Sequence, residues 1–402
     1  MKKRVLIVLL ALLALALLSC SAEQPPQASI DEPVAASFAP RPSATPAPTP
    51  TPTPTPTPDP VDSLLASMTL REKAAQMFFL RLSQPGDEGE VGFTKPDDEL
   101  KAFIEDTQAG GYILFADNIT SEAAVKALTG ATVSHSSVAP FIGIDEEGGI
   151  VSRLSGMDGY ESQPAAREIG KGEPQAAYDA GSAIASALSR IGVTVDFAPV
   201  ADVLTNPENT VIGSRAYSDD PEVVAEMASA FARALMDAGI LSAPKHFPGH
   251  GGTAEDSHEG AAVSGDTPEQ IQETYTIYKR LIEEGAPFIL AGHVTMPDSA
   301  EEPASLSPYF LTDVLRGELG FTGMVVTDAM NMQAITDLYP PDEASVRAIS
   351  AGVDMVLMPQ DFSTALDGVL AAVETGVLSK ERIDESVRRI LQLKMDYGII
   401  PV

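Results

Sequence analysis

Residues 141–145 read Phe-Ile-Gly-Ile-Asp, an apolar run of strand length that ends in a carboxylate. The same arrangement, a short apolar run closed by a polar side chain, returns at Asp202, at Lys245 and His246, at His293 and at Asp328. Short apolar runs bounded by turn residues are typical of buried strands. The sequence therefore predicts five buried strands, each with a polar group at its carboxyl end.

Three further apolar runs and several amphipathic stretches complete the pattern. The eight candidate strands are 76–80, 111–116, 140–145, 194–200, 242–246, 287–291, 323–327 and 354–358. Helical periodicity lies between them, for example over 221–238, 267–284 and 364–375. Eight strands that alternate with helices predict an α/β fold of the (β/α)8 TIM-type barrel class, in one domain over residues 61–402. A doubly wound open sheet is the alternative.

Polar residues at matching strand ends indicate a functional site. In a (β/α)8 barrel the active site lies at the carboxyl ends of the strands, so these side chains converge on one mouth. Any one of them alone is better explained as a buried polar group with its hydrogen bonds satisfied. Five of them at corresponding positions favour a site.

The first sixty residues predict an exported protein. Basic residues 2–4 precede an apolar run over 5–18, which is shorter than a membrane span and fits a signal peptide over residues 1–19. Cys20, the only cysteine, follows Leu-Leu-Ser as in a lipobox, and we expect it to be lipidated and to anchor the protein to the membrane outside the cytoplasm. The alternative is an ordinary signal peptide with an incidental cysteine.

Residues 20–60 predict a disordered stalk, because a segment of Pro, Thr, Ala and Ser that ends in Thr-Pro repeats cannot bury apolar surface.

The formal net charge of −31, with 57 acidic against 26 basic residues, excludes nucleic acid as a natural partner. With Cys20 assigned to the anchor, no cysteine remains for a disulfide, and the barrel must be held by its own core.

The chemistry-bearing segment is Lys-His-Phe-Pro-Gly-His-Gly-Gly at 245–252, which continues to Asp256-Ser257-His258. One interpretation is a metal site with His246, His250, Asp256 and His258 as ligands. Another is a metal-free pair in which Asp256 orients His258 for proton transfer near neutral pH. A third is a loop that is merely stabilised by local histidine hydrogen bonds.

This segment, KHFPGHGGTAEDSH, resembles the signature of glycoside hydrolase family 3, in its single-domain β-N-acetylhexosaminidase branch. The resemblance covers essentially all of residues 61–402. Other matching pieces are Met68-Thr69-Leu70, Gly110–Phe115, Ile144–Gly149, Val195–Asp202, Val211–Arg215, Val326–Met330 and Ala351–Asp354.

The resemblance implies a retaining exo-β-N-acetylglucosaminidase that acts on peptidoglycan-type or other amino-sugar glycans without a metal. We also expect no cofactor, because no glycine-rich phosphate-binding loop follows a predicted strand. Asp328 matches the nucleophile that forms a glycosyl-enzyme, and His258 matches the proton donor, with Asp256 as its partner. The residues that match the sugar-binding positions are Asp145, Arg153, Arg215, Lys245 and His246. We expect a monomer.

Two positions depart from the family pattern. Ala329 follows the nucleophile where a second acidic residue is common, and Glu146 replaces a frequent Gln, which puts fine substrate contacts in doubt. A phosphorylase or a β-glucosidase of the same family is an alternative activity. A metal-dependent barrel hydrolase and a lipoprotein that only binds glycans are alternatives from other classes.

Overall fold

A computed structural model of the chain describes residues 59–86, 89–254, 256–257, 260–297 and 302–401. The predicted signal peptide, Cys20 and the predicted stalk up to residue 58 lie outside the described residues, and so does His258.

The chain alternates strands and helices from its first described residues to its last. The strands are β1 Phe78–Arg81, β2 Ser83–Gly86, β3 Gly89–Gly92, β4 Gly111–Leu114, β5 Phe141–Ile144, β6 Glu146–Gly148, β7 Val151–Ser152, β8 Val195–Asp196, β9 Leu241–Ser242, β10 Ala262–Val263, β11 Phe288–Ala291, β12 Val294–Thr295, β13 Met324–Thr327 and β14 Val356–Leu357. The α-helices are α1 Pro60–Ser67, α2 Leu70–Gln76, α3 Asp98–Thr107, α4 Glu122–His135, α5 Ala166–Ile169, α6 Pro174–Arg190, α7 Pro221–Asp237, α8 Pro268–Glu283, α9 Gln333–Thr336, α10 Pro341–Ala351, α11 Phe362–Thr375 and α12 Lys380–Asp396. A π-helix covers Tyr309–Glu318, and 3₁₀ turns cover Ala116–Asn118, Gly213–Arg215 and Ala304–Leu306.

Eight parallel strands close into a ring. Six of them form one sheet in the order β14-β1-β4-β5-β8-β9, and β11 pairs with β13. Parallel bridges from Phe247 to Ala291 and from Val326 to Met355 join these two groups on both sides. The (β/α)8 barrel predicted from the sequence is confirmed, and each of the eight predicted strands overlaps one strand of the ring.

Local sequence signals set the helix starts. Thr69 caps α2 in a capping box with Glu72, and Thr267 caps α8 in the same way with Gln270. Proline occupies the first turn of α6, α7, α8 and α10, where its missing N–H is not needed. The helices predicted over 221–238 and 267–284 therefore begin and end within one residue of their predicted limits.

The barrel interior is packed by large side chains against glycines on neighbouring strands. The Phe79 ring is fully buried and contacts the Phe197 ring edge-on, with centroids 5.2 Å apart. A Cβ atom on Gly111 or Gly143 would lie 2.6 or 2.7 Å from this ring, so only glycine leaves room for it. Burying one such ring contributes about 2–3 kcal/mol.

Helix α12 crosses the amino ends of the strands, which we call the floor of the barrel. Its Arg389 contacts Asp354, just ahead of β14, with 3.0 Å between Nη1 and Oδ1. Lys394 Nζ donates to Gln76 Oε1 ahead of β1 (2.8 Å) and lies 5.1 Å from the ring centroid of Phe141, the first residue of β5. Contacts with three separate strand ends show that α12 closes the floor.

Lys394 is fully buried, and among the described residues Gln76 is the one hydrogen-bond partner of its side-chain amine. Burial without a carboxylate disfavours the charged amine and lowers the pKa of Lys394 to about 7.

Across the described part of the chain, no helix combines the length and the apolar character needed to cross a membrane.

Candidate active site

The carboxyl ends of the ring strands form a mouth that holds a pocket of about 160 Å³. Six residues predicted from the sequence line this pocket together: Asp145, Arg153, Arg215, Lys245, His246 and Asp328. They come from three strand ends and two connecting loops, so the fold brings together groups that lie up to 183 positions apart in the chain. Three of the five predicted strand ends therefore converge on the pocket, whereas Asp202 and His293, the polar groups of the other two, do not line it.

Asp328 follows β13 and lies at the pocket wall. Its backbone N–H donates to Ala291 O (2.8 Å), and its Oδ1 accepts from the Ala329 N–H (2.8 Å). Burial alone would raise the pKa of this carboxyl, but the nearby His246, His293 and Lys245 and the Ala329 N–H outweigh it and lower the pKa to about 2. Asp328 is therefore ionised at physiological pH, the state in which a carboxylate can act as a nucleophile.

A buried cluster of charges stands beside Asp328. Lys245 Nζ contacts Asp145 Oδ1 and Glu147 Oε1, at 2.6 Å each. Arg215 holds Glu147 through two bonds of 2.8 Å, one from Nε and one from Nη2. Burial raises the pKa of Glu147, but Arg215 and Lys245 more than compensate and hold it far below its usual value. The cluster is thus a fixed set of donors and acceptors, which suits the recognition of sugar hydroxyl groups.

Glu147 is a site residue that the sequence reasoning missed. The available signal was its position, two residues after Asp145 at the end of a predicted strand. An alternating pattern would place both side chains on one face.

Arg153 reaches the same cluster from the loop after β7. Its Nη2 lies 3.9 Å from Asp145 Oδ2, and its guanidinium lies over the Phe115 ring, 5.1 Å from the centroid. An Arg stacked on an aromatic face is held in one orientation. Arg153 is therefore a pocket residue rather than a surface charge.

His246 is oriented by a buried carboxylate. Its Nδ1 lies 2.7 Å from Asp202 Oδ2, and its Nε2 lies 3.3 Å from Arg215 Nη2. Because Arg only donates, Nε2 is the acceptor and Nδ1 carries the proton. Burial raises the pKa of Asp202, but His246 and His250 outweigh it and the pKa is lowered. Asp202, recognised in the sequence only as a strand end, is the residue that fixes this tautomer.

The glycine-rich segment after β9 is pinned closely to its neighbours. A Cβ atom on Gly251 would lie 1.7 Å from Val203 O, and one on Gly252 would lie 2.3 Å from Asp266 Oδ1. No side chain fits at either position without moving backbone or a buried carboxylate. Glycine at these two positions therefore allows the loop to pass close to the strand ends.

His250 has both ring nitrogens engaged within this loop. Nδ1 lies 2.9 Å from Thr253 Oγ1, and Nε2 lies 3.1 Å from Ser257 Oγ. Burial and the neighbouring His246 lower the pKa of His250 to about 4, so it is neutral. Its role is to hold Ser257, the residue next to His258, against the pocket.

The metal interpretation of this loop finds no support in the described residues. Within 59–86, 89–254, 256–257, 260–297 and 302–401, no group of three or more His, Cys, Asp or Glu side chains could hold a metal ion. His246 uses Nδ1 to bind Asp202 and Nε2 to bind Arg215, and His250 uses both of its ring nitrogens. Neither ring therefore has a nitrogen lone pair free to bind a metal ion. His258, the remaining member of the predicted ligand set, lies outside the described residues.

Glu146, the residue that departs from the family pattern, points away from the pocket. Its Oε2 accepts from the Leu154 N–H (2.9 Å) and its Oε1 from the Tyr160 hydroxyl (3.0 Å). Its own N–H donates to Asp196 Oδ1 (2.9 Å). Burial raises the pKa of both Glu146 and Asp196. Glu146 thus anchors the hairpin of β6 and β7 that carries Arg153, and it does not line the pocket.

Comparison with known proteins assigns the chain to a family of glycoside hydrolases. The sequence profile described as "Glycosyl hydrolase family 3 N terminal domain" matches residues 69–393. Beta-hexosaminidase A of Pseudoalteromonas piscicida is 34% identical over 343 residues, which are 77% of this chain and 57% of that protein. The beta-hexosaminidase of Nitrosomonas eutropha is 35% identical over 298 residues, which are 71% of this chain and 85% of that protein.

Solved structures give the same family. A glycoside hydrolase family 3 β-N-acetylglucosaminidase from Paenibacillus sp. FPU-7 superposes with a TM-score of 0.77 at 34% identity, over 84% of this chain and 64% of that one. LpqI of Mycobacterium tuberculosis superposes with a TM-score of 0.74 at 31% identity, over 83% and 96%. The chain therefore spans less than two thirds of the Pseudoalteromonas and Paenibacillus proteins.

Proposed function

Because the chain belongs to glycoside hydrolase family 3, we propose that it is a retaining exo-β-N-acetylglucosaminidase that releases terminal β-linked N-acetylglucosamine from peptidoglycan-type or other amino-sugar glycans. The observation that carries this proposal is Asp328, an ionised carboxylate with a pKa of about 2 in a pocket of about 160 Å³. The names of the relatives support the N-acetylhexosamine preference.

The reaction begins at the anomeric carbon of the bound sugar. Asp328 attacks this carbon, the bond to the leaving oxygen breaks, and that oxygen takes a proton from an acid on the opposite side of the ring. Water then attacks the glycosyl-Asp328 ester, gives its proton back to the same group, and releases the sugar with its original configuration. Asp145, Lys245 and Arg215 would hold the hydroxyl groups during both steps.

We assign the acid to His258, with Asp256 as its partner. The proposal is supported by the match of this segment to the family signature and by its attachment to the site. The Ala334 N–H donates to Ser257 O (3.3 Å), and His250 holds Ser257 Oγ, so the residue preceding His258 is tied to the mouth.

The same proposal includes location. Cys20 carries the lipid anchor, and residues 20–60 form the stalk that joins it to the catalytic domain over 61–402. Detergent phase partitioning of the full chain tests this: the wild type should enter the detergent phase, and Cys20→Ala should stay in the aqueous phase.

Hydrolysis of phenyl β-N-acetylglucosaminide by the purified protein tests the activity. We expect turnover that a chelator does not reduce, and NMR should show the β anomer as the first product. Asp328→Asn should lose on the order of 10⁴-fold or more in kcat, as expected for a lost nucleophile, while the exposed Asp313→Asn should match the wild type. An α anomer as first product, or an active Asp328→Asn, contradicts the assignment. Formation of the sugar 1-phosphate in phosphate buffer identifies a phosphorylase instead.

Substrates whose leaving groups differ in their need for a proton test whether His258 is the acid. His258→Ala should lose about 10²–10⁴-fold on the phenyl glycoside but much less on the dinitrophenyl glycoside, because dinitrophenolate leaves without a proton. Equal losses on both substrates would show that His258 is not the proton donor.

A further inference from the structure

A groove of about 490 Å³ lies beside the catalytic pocket and has about three times its volume. It runs between the hairpin formed by β2 and β3 and the segment 358–362 that leads into α11. This volume falls within the range of roughly 300–1,000 Å³ that is typical of small-molecule sites. None of the catalytic or sugar-binding residues assigned above lines it.

The groove and the catalytic pocket share a wall. Met358 lines both of them. The Phe115 ring, which lines the pocket, lies under two guanidinium groups: Arg153 of the pocket at 5.1 Å and Arg81 of the groove at 4.9 Å from its centroid. A ligand that extends past Met358 therefore passes from one space directly into the other.

The groove offers neutral amides beside negative charge. Glu99, an exposed carboxylate with no ion pair among the described residues, lines it together with Glu90 and Asp361, so the groove disfavours an anionic ligand. The side-chain amides of Gln84, Asn331 and Gln360 line it and make no hydrogen bond to any residue within the described ranges. Arg81, in contrast, is already bound to Asp117 (Nη2 to Oδ2, 2.7 Å), and Asp361 accepts from the Thr364 N–H at the start of α11. Asn331 and Gln360 are exposed and Gln84 is half-buried, so these amides can exchange their hydrogen bonds with water for bonds to a ligand that brings its own donors and acceptors.

Half-buried aromatic rings stand among these amides. Phe103 and Phe362 both line the groove. Pyranose rings present apolar C–H faces together with hydroxyl and acetamido groups at their edges. Aromatic surface and unpaired amides in one groove match this combination of groups.

The position of the groove fits the side on which a leaving group would depart. Asn331 lies three residues after Asp328 and three before Ala334, whose N–H holds Ser257 O at 3.3 Å. The same short segment therefore links the nucleophile, the groove and the loop proposed to carry the acid. An aglycone that receives a proton beside Ser257 would leave toward the groove.

We propose that this groove binds the aglycone side of the glycan: one or more uncharged, N-acetylated amino-sugar residues that follow the sugar held in the catalytic pocket. The inference rests on the proposed function. If the groove binds the aglycone, the protein prefers oligosaccharide substrates. The groove then raises kcat/KM for glycans but contributes nothing to the cleavage of simple aryl glycosides.

The double variant Gln84→Ala/Gln360→Ala tests the proposal. Neither residue belongs to the catalytic machinery, and neither side chain holds another part of the fold. With N,N′-diacetylchitobiose and its trimer we expect kcat/KM to fall about tenfold or more, because each lost hydrogen bond costs about 0.5–1.5 kcal/mol, while phenyl β-N-acetylglucosaminide stays within about twofold. Gln272→Ala, an exposed glutamine on α8 outside the groove, is the matched control.

Equal losses on glycan and aryl substrates, or no loss on either, would overturn the proposal. N-acetylglucosaminyl-N-acetylmuramic acid, whose second sugar carries a lactyl carboxylate, tests the preference for an uncharged residue. A loss confined to chitobiose and its trimer supports this preference, and an equal loss on the charged disaccharide contradicts it.

Binding of chitobiose to the Asp328→Asn protein, measured by calorimetry, separates failure of the groove from failure of the function. If the wild type cleaves no aryl glycoside, the proposed function fails. Weaker chitobiose binding on adding the two glutamine changes would still support the groove, and unchanged binding would contradict it.

Discussion

Replacing Lys394 by methionine removes a buried amine from the barrel floor, and we expect the protein to become more stable at neutral pH. The pKa of Lys394 falls from 10.5 to about 7 on folding because burial disfavours its charge. At about 1.36 kcal/mol per pKa unit, this penalty is roughly 4 kcal/mol at pH 7 and about 1 kcal/mol at pH 10. The lost bond to Gln76 offsets about 1–2 kcal/mol of the gain.

The sign of the pH dependence follows from the lowered pKa. Between pH 7 and 10.5 the unfolded chain binds a proton that the folded protein refuses, so wild-type stability rises with pH across this window. Lys394→Met lacks this contribution. The difference in free energy of unfolding between variant and wild type should therefore shrink by about 3 kcal/mol from pH 7 to pH 10.

Urea unfolding followed by circular dichroism measures this difference; tryptophan fluorescence cannot be used because the chain has no tryptophan. Lys279→Met, on the exposed face of α8, is the control and should leave the pH dependence of the wild type unchanged. Parallel stability curves for Lys394→Met and wild type over pH 7–10 would refute the reasoning, because they would mean that Lys394 keeps its charge in the folded state.

Three further changes test the site. Asp202→Asn should lower kcat/KM for the phenyl glycoside about 10–100-fold, because it removes the charge-assisted bond that fixes the His246 ring; an unchanged kcat/KM would show that His246 needs no such support. Glu147→Gln should cost about 3–5 kcal/mol in urea unfolding at pH 7, since it leaves two buried cations short of a counter-charge. Because the folded pKa of Glu147 lies below 4.5, its contribution is present above that pH and is lost on acidification, so the difference from wild type should narrow in acid. Gly252→Ala should cost about 1–3 kcal/mol through its clash with Asp266, and a thermal midpoint equal to that of the wild type would contradict the close approach.

The barrel could be predicted because its signals are local. Each strand is an apolar run that turn residues bound, and helices such as α8 carry a capping box and a proline at their start. The hairpin of β2 and β3 was not predicted, since Ser-Gln-Pro-Gly and Gly-Glu-Val-Gly carry no alternation of apolar and polar residues. The hairpin forms because the two segments pair with each other beside the ring, and neither segment alone predicts this pairing.

The pocket residues were predicted in large part, but their connections were not. The strand-end rule and the family signature both pointed to Asp145, Lys245 and Asp328. Neither could show that Glu147 would lie between Lys245 and Arg215, because that contact joins residues 68 positions apart. The part of the site carried by His258 stays a prediction.

The closed floor has a consequence for how the protein can be held. Helix α1, where the described chain begins, packs on α12, and its Asp62 pairs with Arg388 on the underside of the barrel. The pocket opens at the other end of the strands. If the enzyme were immobilised on a solid support through the residues just before α1, the floor of the barrel would face the support. The pocket would then face the solution and stay accessible to large polymeric substrates.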